Sequence, residues 1–138
     1  MAQAKRKTWV DSRALVEGRP GEFLIVRPHG PTEESPWEFP GGPLRAHESP
    51  EGALRRICAD TLGIALEIHV GQPPFVYNYG THSVTYRYFM CGSTGSVEAS
   101  GYKETRWVLA GQLREYVFEP ACQRVVDWIL QSSDNDRT

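Results

Sequence analysis

The chain lacks the runs and excesses that would take it out of the ordinary globular class. No apolar stretch in its 138 residues approaches the roughly 20 residues of a transmembrane helix, and no secretory-type hydrophobic core stands near its start. Charge of one sign is not in excess. With 15 Lys and Arg against 17 Asp and Glu, the net charge is −2, which offers no general attraction to nucleic acid or an anionic membrane. The Lys5-Arg6-Lys7 run is short and terminal and reads as part of a solvated leader. Cysteine is scarce. Cys58, Cys91 and Cys122 are odd in number and widely spaced, which suits neither a disulfide framework nor a zinc pattern. They are expected as small buried residues in a reducing, cytoplasmic compartment. Repeats and long linkers are absent too, so the sequence reads as a leader over 1–11, one domain over 12–131 and a polar, frayed tail over 132–138.

What is present is a series of short strands interrupted by helix signals. Residues 12–16 and 22–28 are strand-like on either side of Gly18-Arg19-Pro20-Gly21, a hairpin or meander. A short strand at Trp37-Glu38-Phe39 runs into Pro40-Gly41-Gly42, where glycine permits a tight turn and close approach of a ligand. A helix follows with clear limits. Ser49 suits the N-cap, Pro50 the first turn and Glu51 the positive end of the dipole, while Gly63 suits a left-handed C-terminal cap. Its inward stripe is Leu54, Cys58 and Leu62, with Arg55, Arg56 and Asp60 facing elsewhere. Residues 65–79 and 83–91 are rich in aromatic and β-branched side chains around Gly80-Thr81-His82 and read as a hairpin. A strand over 106–109, a short helix over 110–116 and a last helix over 119–131 complete the chain. The last helix carries an apolar stripe of Ala121, Val125, Trp128 and Ile129. Strands mixed with helices in one domain imply α/β layers around a mixed sheet.

The stretch from Gly42 to Ile64 carries the most information. Gly42, Glu48, Arg56, Gly63 and Ile64 stand at the spacings of the Nudix box, and the chain resembles a MutT-like Nudix domain over nearly its whole length. Support comes from the strand Glu22-Phe23-Leu24-Ile25-Val26, the Trp37-to-Gly42 approach and Arg106-Trp107-Val108 ahead of the last helix. The resemblance implies an α/β/α sandwich with a mixed β-sheet, and hydrolysis of nucleoside diphosphate derivatives with magnesium or manganese held by box glutamates. Residues three and four apart share a helix face, so positions 57, 60 and 61 converge. Where the family carries three glutamates, this chain carries Ile57, Asp60 and Thr61. Ile57 can neither bind metal nor take a proton, and losing a general base alone costs on the order of 10²–10⁴ in rate.

The resemblance carries over to Glu48, which can assist metal or water, and to Arg56, which orients the loop and its carboxylate. Asp60 is the surviving box acid. Asp60, Glu48 and Glu104 form the set that could hold a cation, with Glu98 a weaker candidate. Arg27 and His29 leave a strand beside Gly41 and Gly42 and are candidates for phosphate contacts. Tyr77 and Tyr79, among Phe75, Tyr86 and Tyr88 on the hairpin, are candidates for stacking on a base. The expected function is therefore a Nudix-fold protein that binds a nucleoside-phosphate-type ligand, with metal-dependent hydrolysis weak, atypical or absent. Two alternatives stay open: an active MutT-like hydrolase using a reduced carboxylate set, and a recognition module similar to the C-terminal domain of adenine glycosylases. A scaffold for a protein partner is a third. The charge balance argues against duplex DNA, no membrane partner is expected, and the resemblance, to a family in which homodimers occur widely, allows a homodimer.

Overall fold

The computed structural model describes residues 7–32, 34–98 and 101–135, with side chains through residue 132. The central strand is β6 (His82–Thr94), with β1 (Lys7–Val16) running parallel along one side. On the other side β4 (Ala65–Gly71) and β5 (Phe75–Asn78) pair with it in antiparallel fashion, one after the other. The strand β3 (Gly41–Pro43) closes the far edge against β1. A second, two-stranded sheet joins β2 (Glu22–Arg27) to β7 (Glu104–Leu109). This is the expected mixed sheet, and the helices α1 (Pro50–Leu62) and α2 (Pro120–Asn135) complete an α/β/α sandwich. Among the described residues no helix is long and apolar enough to cross a membrane.

Alternation along the strands sorts the core into two layers. Ala14 and Val16 of β1, with Phe89 and Cys91 of β6, join Leu54, Cys58 and Leu62 of α1. Leu15, Val84, Tyr86 and Tyr88 join Ala121, Cys122, Val125 and Val126 of α2. Leu54 and Leu62 are wholly buried, worth about 1.5–3 kcal/mol each by apolar transfer. All three cysteines are buried, and burial pushes their thiols up to about 12, so they pack as small apolar groups.

The helix α1 keeps its expected limits. The Ser49 hydroxyl accepts the Gly52 N–H at 3.0 Å, and Gly63 turns left-handed at φ 67°. Several other boundaries differ from expectation. β1 begins at Lys7, not at residue 12, because its first residues find partners along β6 from His82 onward. The long arm 65–79 is two strands, since Pro73 and Pro74 offer no N–H to the ladder, and the register against β6 slips by one residue between Gly71 and Phe75. Residues 37–39 form isolated bridges, Val26 with Glu38 and Trp37 with Phe118, and not a strand. The expected short helix is a 3-10 helix, Ala110–Glu115. α2 continues past residue 131 to Asn135, and residues 136–138 of the expected tail lie outside the described residues, as do 1–6 of the expected leader. Trp128, placed on the inward stripe from sequence, is 43% exposed, and Cys122 and Val126 take inward positions instead.

Candidate functional site

The glycine-rich turn is built against β1. Gly41 has φ 149° and pairs with Arg13, and a Cβ there would lie 2.0 Å from the Ser12 carbonyl oxygen. Only glycine allows that approach. A Cβ on Gly42 would meet the Ile57 side chain at 3.3 Å, so the turn rests directly on the first helical turns. Between turn and helix, Glu48 accepts from Arg56 Nε at 2.7 Å, from Arg56 Nη2 at 2.9 Å and from the Arg45 N–H at 2.9 Å. The Arg56 hydrogen bonds, then the Arg45 N–H, pull the Glu48 carboxyl down to about 2. Arg56 thus braces the loop through a two-pronged carboxylate contact.

The chain itself covers part of the convergent face of α1, at Ile57 and Thr61. Ile57 is buried, and the Thr61 hydroxyl donates to the Ile57 carbonyl at 2.6 Å, one turn back. The segment ahead of β7 then lies across the end of the helix. Glu98 N–H donates to the Leu62 carbonyl at 2.8 Å, and Gly101 N–H donates to the Thr61 carbonyl at 3.1 Å. A Cβ on Gly101 would fall 2.6 Å from Thr61 Cβ and 2.7 Å from its Cα. Tyr102, next in line, is 7% exposed and accepts the Gly41 N–H at 3.3 Å. Burial raises its phenol above the ordinary value, opposed by the bonds from Gly41 and Thr61. One tyrosine therefore links the glycine-rich turn at Gly41 to the helix at Thr61.

Magnesium takes hard oxygen ligands, usually one or two carboxylates with phosphate oxygens and water. Among the described residues no group of three or more His, Cys, Asp or Glu side chains stands together. Glu48, Asp60 and Glu104, expected as a shared set, are not gathered. Glu48 is committed to Arg56, and Asp60 is exposed. Glu104 stands opposite Arg27 in the β2–β7 ladder, so its carboxylate pairs across the strands at 2.8 Å and with Arg106 at 3.4 Å. Among the described residues the three expected carboxylates do not form one magnesium-binding cluster.

Arg27 lies in an open cleft of about 560 Å³ whose lining includes Glu34, Trp37, Glu115, Tyr116 and Val117. Its guanidinium stands 5.5 Å over the Trp37 ring, and Arg106 stands 5.3 Å from the same ring. Arg106 also donates to the Tyr116 hydroxyl at 3.3 Å. Tyr77 and Tyr79 belong to other surroundings. The Tyr79 ring stacks on His82 at 4.8 Å and tilts against Tyr77 at 4.7 Å, and His82 stacks in turn on Trp9. The Tyr79 hydroxyl bonds Tyr86 and Glu119, and Glu119 accepts the Ala121 and Cys122 N–H groups at the start of α2. Tyr79 thus ties the hairpin to the start of α2, with Tyr77 against its ring.

Two features escape a reading of the sequence. Tyr102 sits in a segment with no periodicity, where only the Gly101-Tyr102 pair hints at a close approach. The second is a buried ion cluster, in which Arg13 donates to Asp11 at 2.6 and 3.2 Å and to the Phe39 carbonyl at 2.9 Å. Arg13 also lies 3.2 Å from Glu38, whose carboxyl is raised by burial and held back by Arg13. Opposite charges two apart in a strand share a face, so the spacing of Asp11 and Arg13 is the sequence signal of this pair.

A family model of the NUDIX domain matches residues 8–129. A MutT-like protein of Streptomyces ambofaciens is 28% identical over 120 residues, covering 86% of this chain and 75% of that protein. An 8-oxo-dGTP diphosphatase of Haemophilus influenzae is 28% identical over 115 residues, covering 82% and 84% of the respective chains. Among solved structures, the MutT protein from Methanosarcina mazei Go1 superposes with a TM-score of 0.79 at 18% identity, over 99% of this chain and 100% of that one. At that identity the likeness is one of fold.

Proposed function

The chain belongs to the Nudix family, and from that premise we propose that it binds a nucleoside-phosphate-type ligand and hydrolyses it weakly or not at all. Nudix hydrolases generally work with a divalent metal, magnesium or manganese. The observation that carries the reading is the Tyr102 closure. A buried phenol bonded to Gly41 and Thr61 ties the glycine-rich turn to a helix that carries Ile57 and Thr61 at the box positions. A chain able to hold a bridging cation there would need those oxygens free and that space open.

Binding is better provided for than turnover. Arg27 lines the open cleft with Trp37 and Tyr116, and Arg106 stands over the same two rings. Guanidinium forks match phosphate oxygens, and the aromatic rings offer apolar area to a base or sugar. Arg27 is the residue we assign to the phosphates, exchanging its Glu104 contact for the ligand. The named activity of the Haemophilus influenzae relative makes 8-oxo-dGTP the first ligand to try, with dGTP beside it.

The test is calorimetry with both nucleotides in EDTA, and turnover with magnesium and with manganese. Binding without metal is expected, with turnover on the order of 10⁻² s⁻¹ or below, at least a thousandfold under the ordinary enzyme median near 10 s⁻¹. Arg27→Gln should weaken binding about tenfold. Metal-dependent turnover near the enzyme median, abolished by Asp60→Ala, would overturn the reading in favour of an active hydrolase with a reduced carboxylate set.

A further inference from the structure

We infer that the cavity between the β4–β5 link, β6 and α2 is a separate binding site, for small planar aromatic carboxylates. Pro73 and Pro74 interrupt the pairing to β6, and the cavity beside Pro73 is lined by Phe75, Tyr88, Val125 and Trp128. Its volume is about 260 Å³. That lies just under the roughly 300–1,000 Å³ of sites for drug-sized ligands, so one or two fused rings fit and a whole nucleotide does not. Trp128 is 43% exposed, although Val125 and Ile129 on the same helix are buried. A large indole left half in water beside an apolar hollow is surface that a flat ligand would cover.

The mouth supplies the charge. Arg124 holds its guanidinium 4.6 Å from the centre of the Phe75 ring and takes part in none of the ion pairs among the described residues. The nearby carboxylate of Asp127 accepts from Gln123 at 2.9 Å instead. A guanidinium stacked on a ring keeps its N–H donors in the plane of that stack, where a carboxylate attached to a second flat ring can meet them. One guanidinium and a hollow with mainly apolar walls match a monoanion with an aromatic body better than a polyphosphate. None of Arg27, Trp37 or Tyr116 lines this cavity, so the site stands or falls apart from the nucleotide cleft.

The probes are 2-naphthoate and its neutral counterpart 2-naphthamide, titrated into the whole chain while the Trp128 indole N–H resonance is followed by NMR. Saturable shifts of that resonance are expected from both, with the acid bound about fivefold to tenfold more tightly. Arg124→Gln, a surface change, should erase the preference and leave the amide's affinity in place. Trp128→Ala should weaken both, and Trp107→Ala neither, each read by calorimetry. Equal affinity of acid and amide, a preference that survives Arg124→Gln, or no saturable binding of either at millimolar concentration would overturn the assignment.

Discussion

Replacing Gly101 with alanine tests the closure most directly. The added Cβ would sit 2.6 Å from Thr61 Cβ and 2.7 Å from its Cα, inside any real contact, and Thr61 is fixed in the last turns of α1. The segment must therefore lift. It loses the Gly101 N–H bond to the Thr61 carbonyl, worth about 1 kcal/mol, and exposes Tyr102, whose apolar burial is worth about 1.5–3 kcal/mol. Against this, alanine restricts the unfolded chain by about 0.4–1 kcal/mol. The net loss should be about 2–3 kcal/mol, read as a lower urea midpoint at an unchanged slope. Gly111 is the matched control, because a Cβ there meets nothing within 4 Å. Gly111→Ala should lie within about 0.5 kcal/mol of the native chain. Equal midpoints for the two variants would refute the claim that the segment is pressed onto α1.

The buried ion cluster and the braced loop give two further expectations. Arg13→Met leaves Asp11 and Glu38 facing each other without their cation, and should cost about 3–5 kcal/mol by denaturant titration; a loss under 1 kcal/mol would mean that water already reaches the cluster. Glu48 should titrate at about 2 in the folded chain, against an unfolded value of about 4.3, when its carboxyl carbon is followed by NMR. With the folded value the lower one, its charged form supports the fold above pH about 4.3, and that support is lost as pH falls from there toward 2. Arg56→Gln should return Glu48 toward the ordinary carboxylate range; a native value already in that range would remove Arg56 as the brace.

What could be read from the sequence was local. Ser49, Pro50 and Gly63 mark the limits of α1 because caps are satisfied by neighbours in the chain, and Leu54, Cys58 and Leu62 mark its inner face because a helix repeats. The misplacements come from longer range. Trp128 sits at the right helical spacing for the core, yet it lines the cavity beside Pro73 and stays 43% exposed. Glu104 reads as an available carboxylate until the β2–β7 register puts Arg27 opposite it. Tyr102 was invisible for a similar reason: its partners, Gly41 and Thr61, lie some sixty and forty positions away.

The placement of β6 also has a consequence for how the chain reaches this fold. Its partners on one side, β4 and β5, come just before it in sequence, but on the other side Lys7 must meet His82 and Val16 must meet Cys91, some seventy-five positions away. Closing so large a loop costs entropy before any parallel pairing repays it. The antiparallel part around β6 can form early from near neighbours, while β1 must wait, and with it Asp11, Arg13 and the seat of Gly41. The glycine-rich turn, though it lies next to α1 in sequence, would be among the last parts to take shape.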